Sequence, residues 1–143
     1  MIDESDIRRR IDEHVEAIRA MDLEAVMAIY TPDIVSFDLD PPLRYVGAEA
    51  KSKRWREVFA MYQRPLGYEI RDLAIMVRDD LGFGHSLNRI SGTLKNGNTT
   101  AFWLRWTMCF RKLGDQWFIA HEQVSVPVDP RSGTASLNLK PDL

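Results

Sequence analysis

The second half of this chain is a run of long β-prone segments separated by turn residues, and that pattern constrains the fold more than any other feature. Tyr68 to Asp79, Leu81 to Leu94, Thr99 to Arg111 and Gln116 to Val126 are rich in aliphatic, Thr and aromatic residues. The breaks between them carry Asp79-Asp80, Asn96-Gly97 and Gly114-Asp115, which suit tight hairpins. They are too short to hold crossover helices, so the four segments form an antiparallel meander. Its apolar face needs a cover, and the first half of the chain supplies one.

Ile7, Ile11, Val15 and Ile18 recur at helical spacing, with Asp3, Glu4 and Asp6 where a helix dipole favours acids. Asp22 is a good N-cap for a second helix with Leu23, Val26, Ile29 and Tyr30 as its buried stripe, ended by Pro32. Ile34 to Phe37 forms a short strand, cut off by Asp40-Pro41-Pro42. A third helix runs from about Ala48 to Gln63 with Trp55, Val58, Phe59 and Tyr62 on one face. The expected architecture is α+β: a cone-shaped, strongly bent antiparallel sheet wrapped over three helices. Residues 1–127 make one domain. Residues 128–143, with Pro130, Gly133 and Pro141, form a tail ordered only where it lies on something.

Charge excludes some functions. The 19 Lys and Arg against 21 Asp and Glu give no general pull toward nucleic acid. No apolar run approaches the ~20 residues that span a bilayer, so no membrane partner is expected. The acidic start, without an apolar signal core, and the single Cys109 lead us to expect a cytoplasmic protein. No compact metal-ligand motif, phosphate-cradling loop or Gly-x-Ser-x-Gly elbow occurs, so no metal, cofactor or serine nucleophile is expected. The basic run Lys51, Lys53, Arg54 and Arg56 reads as a solvated helix face.

Counting back from the turns suggests which side chains meet. With Leu113-Gly114 as a two-residue loop, Trp106 faces His121; the same count from Asn96-Gly97 places His85 and Arg89 on that face. With Asp80-Leu81 as the turn before it, Arg89 opposes Asp72 and pairs either with it or with an anionic substrate. The inner face is therefore expected to be apolar and aromatic, yet to hold His85, Arg89, His121 and Gln123. Trp55 and Phe59 close over it, and Asp38 and Asp40 lie at a strand end. The outer face would pair Arg105 with Glu122 beside Thr107, Cys109, Phe118, Ala120, Val124 and Val126, an apolar surface suited to a homodimer.

The order of elements resembles the nuclear transport factor 2-like superfamily, which includes ketosteroid isomerases and SnoaL-like polyketide cyclases. The resemblance spans about residues 5 to 127. It rests on Ala20-Met21-Asp22-Leu23-Glu24-Ala25, Tyr30-Thr31-Pro32-Asp33, Gly47 and the strand from Gly114 to His121. It implies a cone with a pocket at its open end, and dimerisation through the outer sheet face. It also implies a base at Asp38, five positions after Asp33 in the family's Tyr-x-x-Asp spacing, with Asp40 as a near alternative. The family's oxyanion tyrosine falls on His14, and its second donor, an acid, falls near Thr107, where no carboxylate stands. The steroid isomerase apparatus is therefore incomplete.

Two functional expectations follow. In the first, a small-molecule pocket transfers a proton next to a carbonyl. Asp38 is the base, and His121, His85 and His14 are shuttles or donors. Trp55, Phe59 and Trp106 are walls, and Asp40, Arg89 and Gln123 are ligand contacts. Burial among aromatics is expected to raise the Asp38 pKa. In the second, the same fold is a non-catalytic ligand-binding or oligomerisation module, whose polar interior groups satisfy one another.

Overall fold

The computed structural model describes residues 2–142. Its principal elements are α1 (Ile2–Ala20), α2 (Leu23–Met27), β1 (Tyr30–Phe37), β2 (Tyr45–Val46), α3 (Ala48–Met61), β3 (Gly67–Arg78), β4 (Leu81–Thr93), β5 (Thr99–Leu113) and β6 (Gln116–Ser125). Three helices lie in the N-terminal half, and the large curved sheet is α+β in class, as expected. The strands are ordered β2-β1-β6-β5-β4-β3. The meander β3 to β6 is antiparallel throughout, while β1 joins it parallel to β6.

The helical spacing read in α1 is the buried stripe: Ile7, Ile11, Val15 and Ile18 all face inward, and His14 is buried with them. Asp22 caps α2 by accepting the Ala25 N–H at 3.2 Å. That helix is shorter than its apolar pattern suggests. The sheet claims the backbone that follows: the Ile119 N–H donates to the Ile29 carbonyl at 2.7 Å, and Tyr30 pairs with Ile119. Tyr30 therefore begins β1, and Pro32, which has no N–H to donate, sits where the ladder with β6 is interrupted. At the far end of α3, Tyr62 turns extended and bridges Leu94. Gly92 makes room for it: a Cβ there would lie 2.8 Å from the Tyr62 ring.

Two features of the sheet set which side chains point inward. The Asn96-Gly97 turn belongs to a five-residue connection, because Thr93 pairs with Thr99. This shifts β4 by one residue against the expected count, so Ser86, Asn88 and Ile90 face in and His85, Leu87 and Arg89 face out. In β6, Phe110 pairs with Ile119 but Cys109 pairs with His121, so one extra residue at Ala120 forms a bulge. Beyond it the facing inverts, and Glu122, Val124 and Val126 turn inward. Residues 128–135 close as a small hairpin, Val128–Asp129 on Thr134–Ala135.

Candidate functional site

Between α3 and the inner faces of β3 to β6 lies a cavity of about 200 Å³. Trp55, Val58, Tyr62, Ile90, Phe102, Leu104 and Trp106 supply most of its apolar wall. One end is charged. Lys51, 2% exposed, donates from Nζ to Asp38 Oδ2 at 2.7 Å and to Glu122 Oε2 at 2.8 Å. The three groups sum to one negative charge. Lys51 sits one helical turn before Trp55 on α3, which is why a residue of a basic run points into the protein.

The two carboxylates differ in how fully they are used. Glu122 Oε2 accepts from Ser36 Oγ at 2.8 Å as well as from Lys51. Its Oε1 accepts from Trp106 Nε1 at 2.9 Å and, at 3.5 Å, from the Tyr30 hydroxyl. Four donors saturate it. Among the described residues Asp38 accepts only from Lys51 and from the Leu39 N–H at 2.7 Å, and its side chain keeps 12% exposure. Burial pushes both acids upward, but the Lys51 charge and hydrogen bonds outweigh it and hold both below the usual carboxylate range. The expected rise at Asp38 is therefore reversed, by a lysine whose basic run reads as solvated. Burial lowers Lys51 in turn, and its two acids more than restore it.

His14 lies against the aromatic wall, stacked on Trp106 at 5.9 Å and edge-on to Tyr30 and Trp55. Its Nδ1 is 3.0 Å from the Val26 carbonyl, which can only accept, so Nδ1 carries a proton. Burial lowers its pKa to about 4, against the opposing pull of Glu122. The ring is neutral at pH 7, with a lone pair at Nε2.

The SnoaL-like domain profile matches residues 7–129. The chain belongs to this SnoaL-like family, within the NTF2-like superfamily. An NTF2-like protein of unknown function from Pseudomonas putida KT2440 is 31% identical, with 98% of this chain and 97% of that one covered at a TM-score of 0.89. A ketosteroid isomerase-like protein from Erwinia carotovora atroseptica SCRI1043 is 24% identical over 85% and 93% of the two chains, TM-score 0.72. A candidate scytalone dehydratase from Novosphingobium aromaticivorans DSM 12444 is 13% identical over 86% and 83%, TM-score 0.78. The last two show the shared fold alone. A search of curated proteins finds no match.

Of the residues expected at the site of this SnoaL-like chain, Asp38, His14, Trp55 and Trp106 line the cavity. Phe59 stands behind Trp55, with ring centroids 5.5 Å apart. Asp40 lies in the loop after β1, its Oδ1 3.0 Å from Arg54 Nη2. His85, Arg89, His121 and Gln123 are not brought together with them. The longer β4–β5 loop turns His85 and Arg89 outward. Arg89 lies 3.7 Å from Glu69, not against Asp72. The Ala120 bulge turns out His121 and Gln123. His121 Nδ1 lies 2.6 Å from the Val35 carbonyl, and its ring rests on Phe37. Glu122 takes the inner place, and Arg105 donates instead to Ser125 Oγ at 3.1 Å.

Glu122 and Lys51 are the site groups that sequence reasoning missed. For Lys51 the signal was present: 51, 55, 58 and 62 continue one helical face. For Glu122 no local signal marks the bulge. Among the described residues no group of three or more His, Cys, Asp or Glu is placed to hold a metal ion, and no helix is long and apolar enough to cross a membrane.

Proposed function

We propose that this protein binds a small, largely apolar, ring-bearing molecule in the cavity and moves a proton next to its carbonyl group, with Asp38 as the acceptor. The observation that carries this reading is the unequal use of the two acids. Glu122 is saturated and holds Lys51 and Trp106 in place, whereas Asp38 is ionised, keeps unused lone pairs and lines an apolar cavity. A cavity of about 150 Å³ holds benzene, so about 200 Å³ suits one or two rings. A carboxylate held below its ordinary range is a modest base. It suits a hydrogen already acidified by a neighbouring carbonyl rather than an isolated C–H. His14, on the same cavity wall, offers a second acceptor at Nε2. The isomerase-like and dehydratase names of two structural neighbours agree with this class of chemistry.

The saturated Lys51–Glu122 pair favours a second reading, a ligand-binding module without catalysis. Exchange of the α-hydrogens of β-tetralone with deuterated water, followed by NMR, separates the two. The enzyme reading expects exchange roughly 10²-fold or more above buffer, lost in Asp38→Asn. Binding without faster exchange selects the module.

The same outer sheet face supports self-association. Phe37 and Val46 at one end of that face, and Met76 and Phe83 at the other, remain 39–60% exposed, and exposed apolar groups of this kind suit a second copy of the chain. Light scattering is expected to report a dimer; a mass near that of the 16.5 kDa chain refutes it.

A further inference from the structure

The interior holds a polar pair that the proton-transfer reading does not use. Ser86 and Asn88 point inward from β4, 4% and 0% exposed. Ser86 Oγ lies 2.6 Å from Asn88 Oδ1, and Asn88 Nδ2 lies 2.8 Å from the Tyr68 hydroxyl. The first distance fixes the amide's orientation. It is shorter than N–H···O contacts run and ordinary for O–H···O, so the amide oxygen faces Ser86 and the NH₂ faces Tyr68. The Tyr68 oxygen therefore accepts from Asn88, and its own proton cannot be spent in that direction.

Among the described residues no acceptor takes that proton, and Tyr68 lines the cavity. Tyr30, on the opposite side, differs. Its hydroxyl accepts from Trp55 Nε1 at 3.2 Å and points at Glu122. A buried serine–asparagine pair in an apolar sheet carries a desolvation cost, and here its effect is to aim one phenol.

We infer that Tyr68, oriented by Ser86 and Asn88, is the cavity's neutral hydrogen-bond donor to the oxygen of the bound molecule. The ligand class is thus an uncharged ring compound bearing a carbonyl or similar acceptor. Tyr68 would steady the oxygen on which charge builds as a neighbouring C–H loses its proton, and Asn88 acts as a positioning residue. Burial keeps the Tyr68 hydroxyl protonated at any ordinary pH. The inference rests on the cavity being a ligand site but not on catalysis.

The test compares β-tetralone with tetralin, which has nearly the same shape and no acceptor. The native protein is expected to bind β-tetralone roughly five- to tenfold more tightly. The bound ketone's carbonyl stretch should move to lower wavenumber. Tyr68→Phe should abolish both the preference and the shift while leaving tetralin affinity unchanged. The double variant Ser86→Ala/Asn88→Leu keeps the hydroxyl and removes the buried polar pair, and should lose part of the shift and broaden the band. A carbonyl shift that persists in Tyr68→Phe overturns the assignment, as does equal binding of the two probes by the native protein; in both cases the cavity reading survives. Binding of neither probe overturns the cavity reading and this inference together.

Discussion

At one end of the interior, Met108, Phe110, Trp117 and Ile119 join Ile7, Ile11 and Ile18 in a cluster whose members are no more than 2% exposed. At the other end the same β5 strand presents Leu104 and Trp106 to α3 across an open cavity. The packed end is filled by apolar side chains, with a polar contact at its rim where Trp117 Nε1 donates to Asp3 Oδ1 at 3.1 Å. The hollow end contains Lys51, Asp38 and Glu122, held in place by one another rather than by filling. In this molecule empty volume and buried charge occur together. An ion cluster that fixes its own geometry can stand beside a void, whereas an aliphatic core depends on dense contact.

The largest expected effect breaks the hollow end. Lys51→Met leaves two buried carboxylates facing each other and is expected to cost about 3–5 kcal/mol, read from urea unfolding. Adding Glu122→Gln should recover part of it. At the packed end, Ile119→Ala should cost about 2–5 kcal/mol through the void it opens. Ile90→Ala, which only enlarges an existing cavity, should cost clearly less. Equal losses at Ile119 and Ile90 would erase the distinction between the ends.

Acid sharpens the comparison further. An unfolded imidazole titrates near 6.5, and folded His14 near 4. Between those values the unfolded chain binds a proton that the native chain does not. Stability should therefore fall as pH drops through this window, by about 3 kcal/mol in all. Asp38 and Glu122 act lower. Their contribution is complete above their unfolded values near 4 and is lost as pH falls through their depressed native ones. His14→Asn keeps a donor for the Val26 carbonyl and should flatten only the upper window. The smallest effect lies outside: His121→Ala should change stability by no more than about 1 kcal/mol and leave β-tetralone affinity unchanged.

How much of this was legible in the sequence depends on the kind of information asked for. Helical stripes and caps are local: Ile7, Ile11 and Ile18, the Asp22 cap and the Trp55 face stand where spacing put them. Strand facing is not local, because each hairpin loop carries its count into everything beyond it. A connection longer than its Asn96-Gly97 core turned His85 and Arg89 outward, and one bulge exchanged His121 for Glu122. Asp38 and His14 reached the cavity through the family resemblance rather than through the count. The charge on Asp38 is not legible because its partner Lys51, thirteen positions away, lies in a basic run that reads as a solvated helix face.

The Ala120 bulge bears on how such cavities diversify. A point mutation changes one wall group at a time. Whether one residue is bulged out or paired sets the parity of everything beyond it, and parity selects a whole row. Without the bulge, β6 would present His121, Gln123 and Ser125 inward in place of Glu122, Val124 and Val126. An imidazole chamber and a carboxylate chamber are thus one bulge apart on this scaffold. Relatives of the same strand length that lack this bulge are expected to differ in chemistry even where the aligned letters agree.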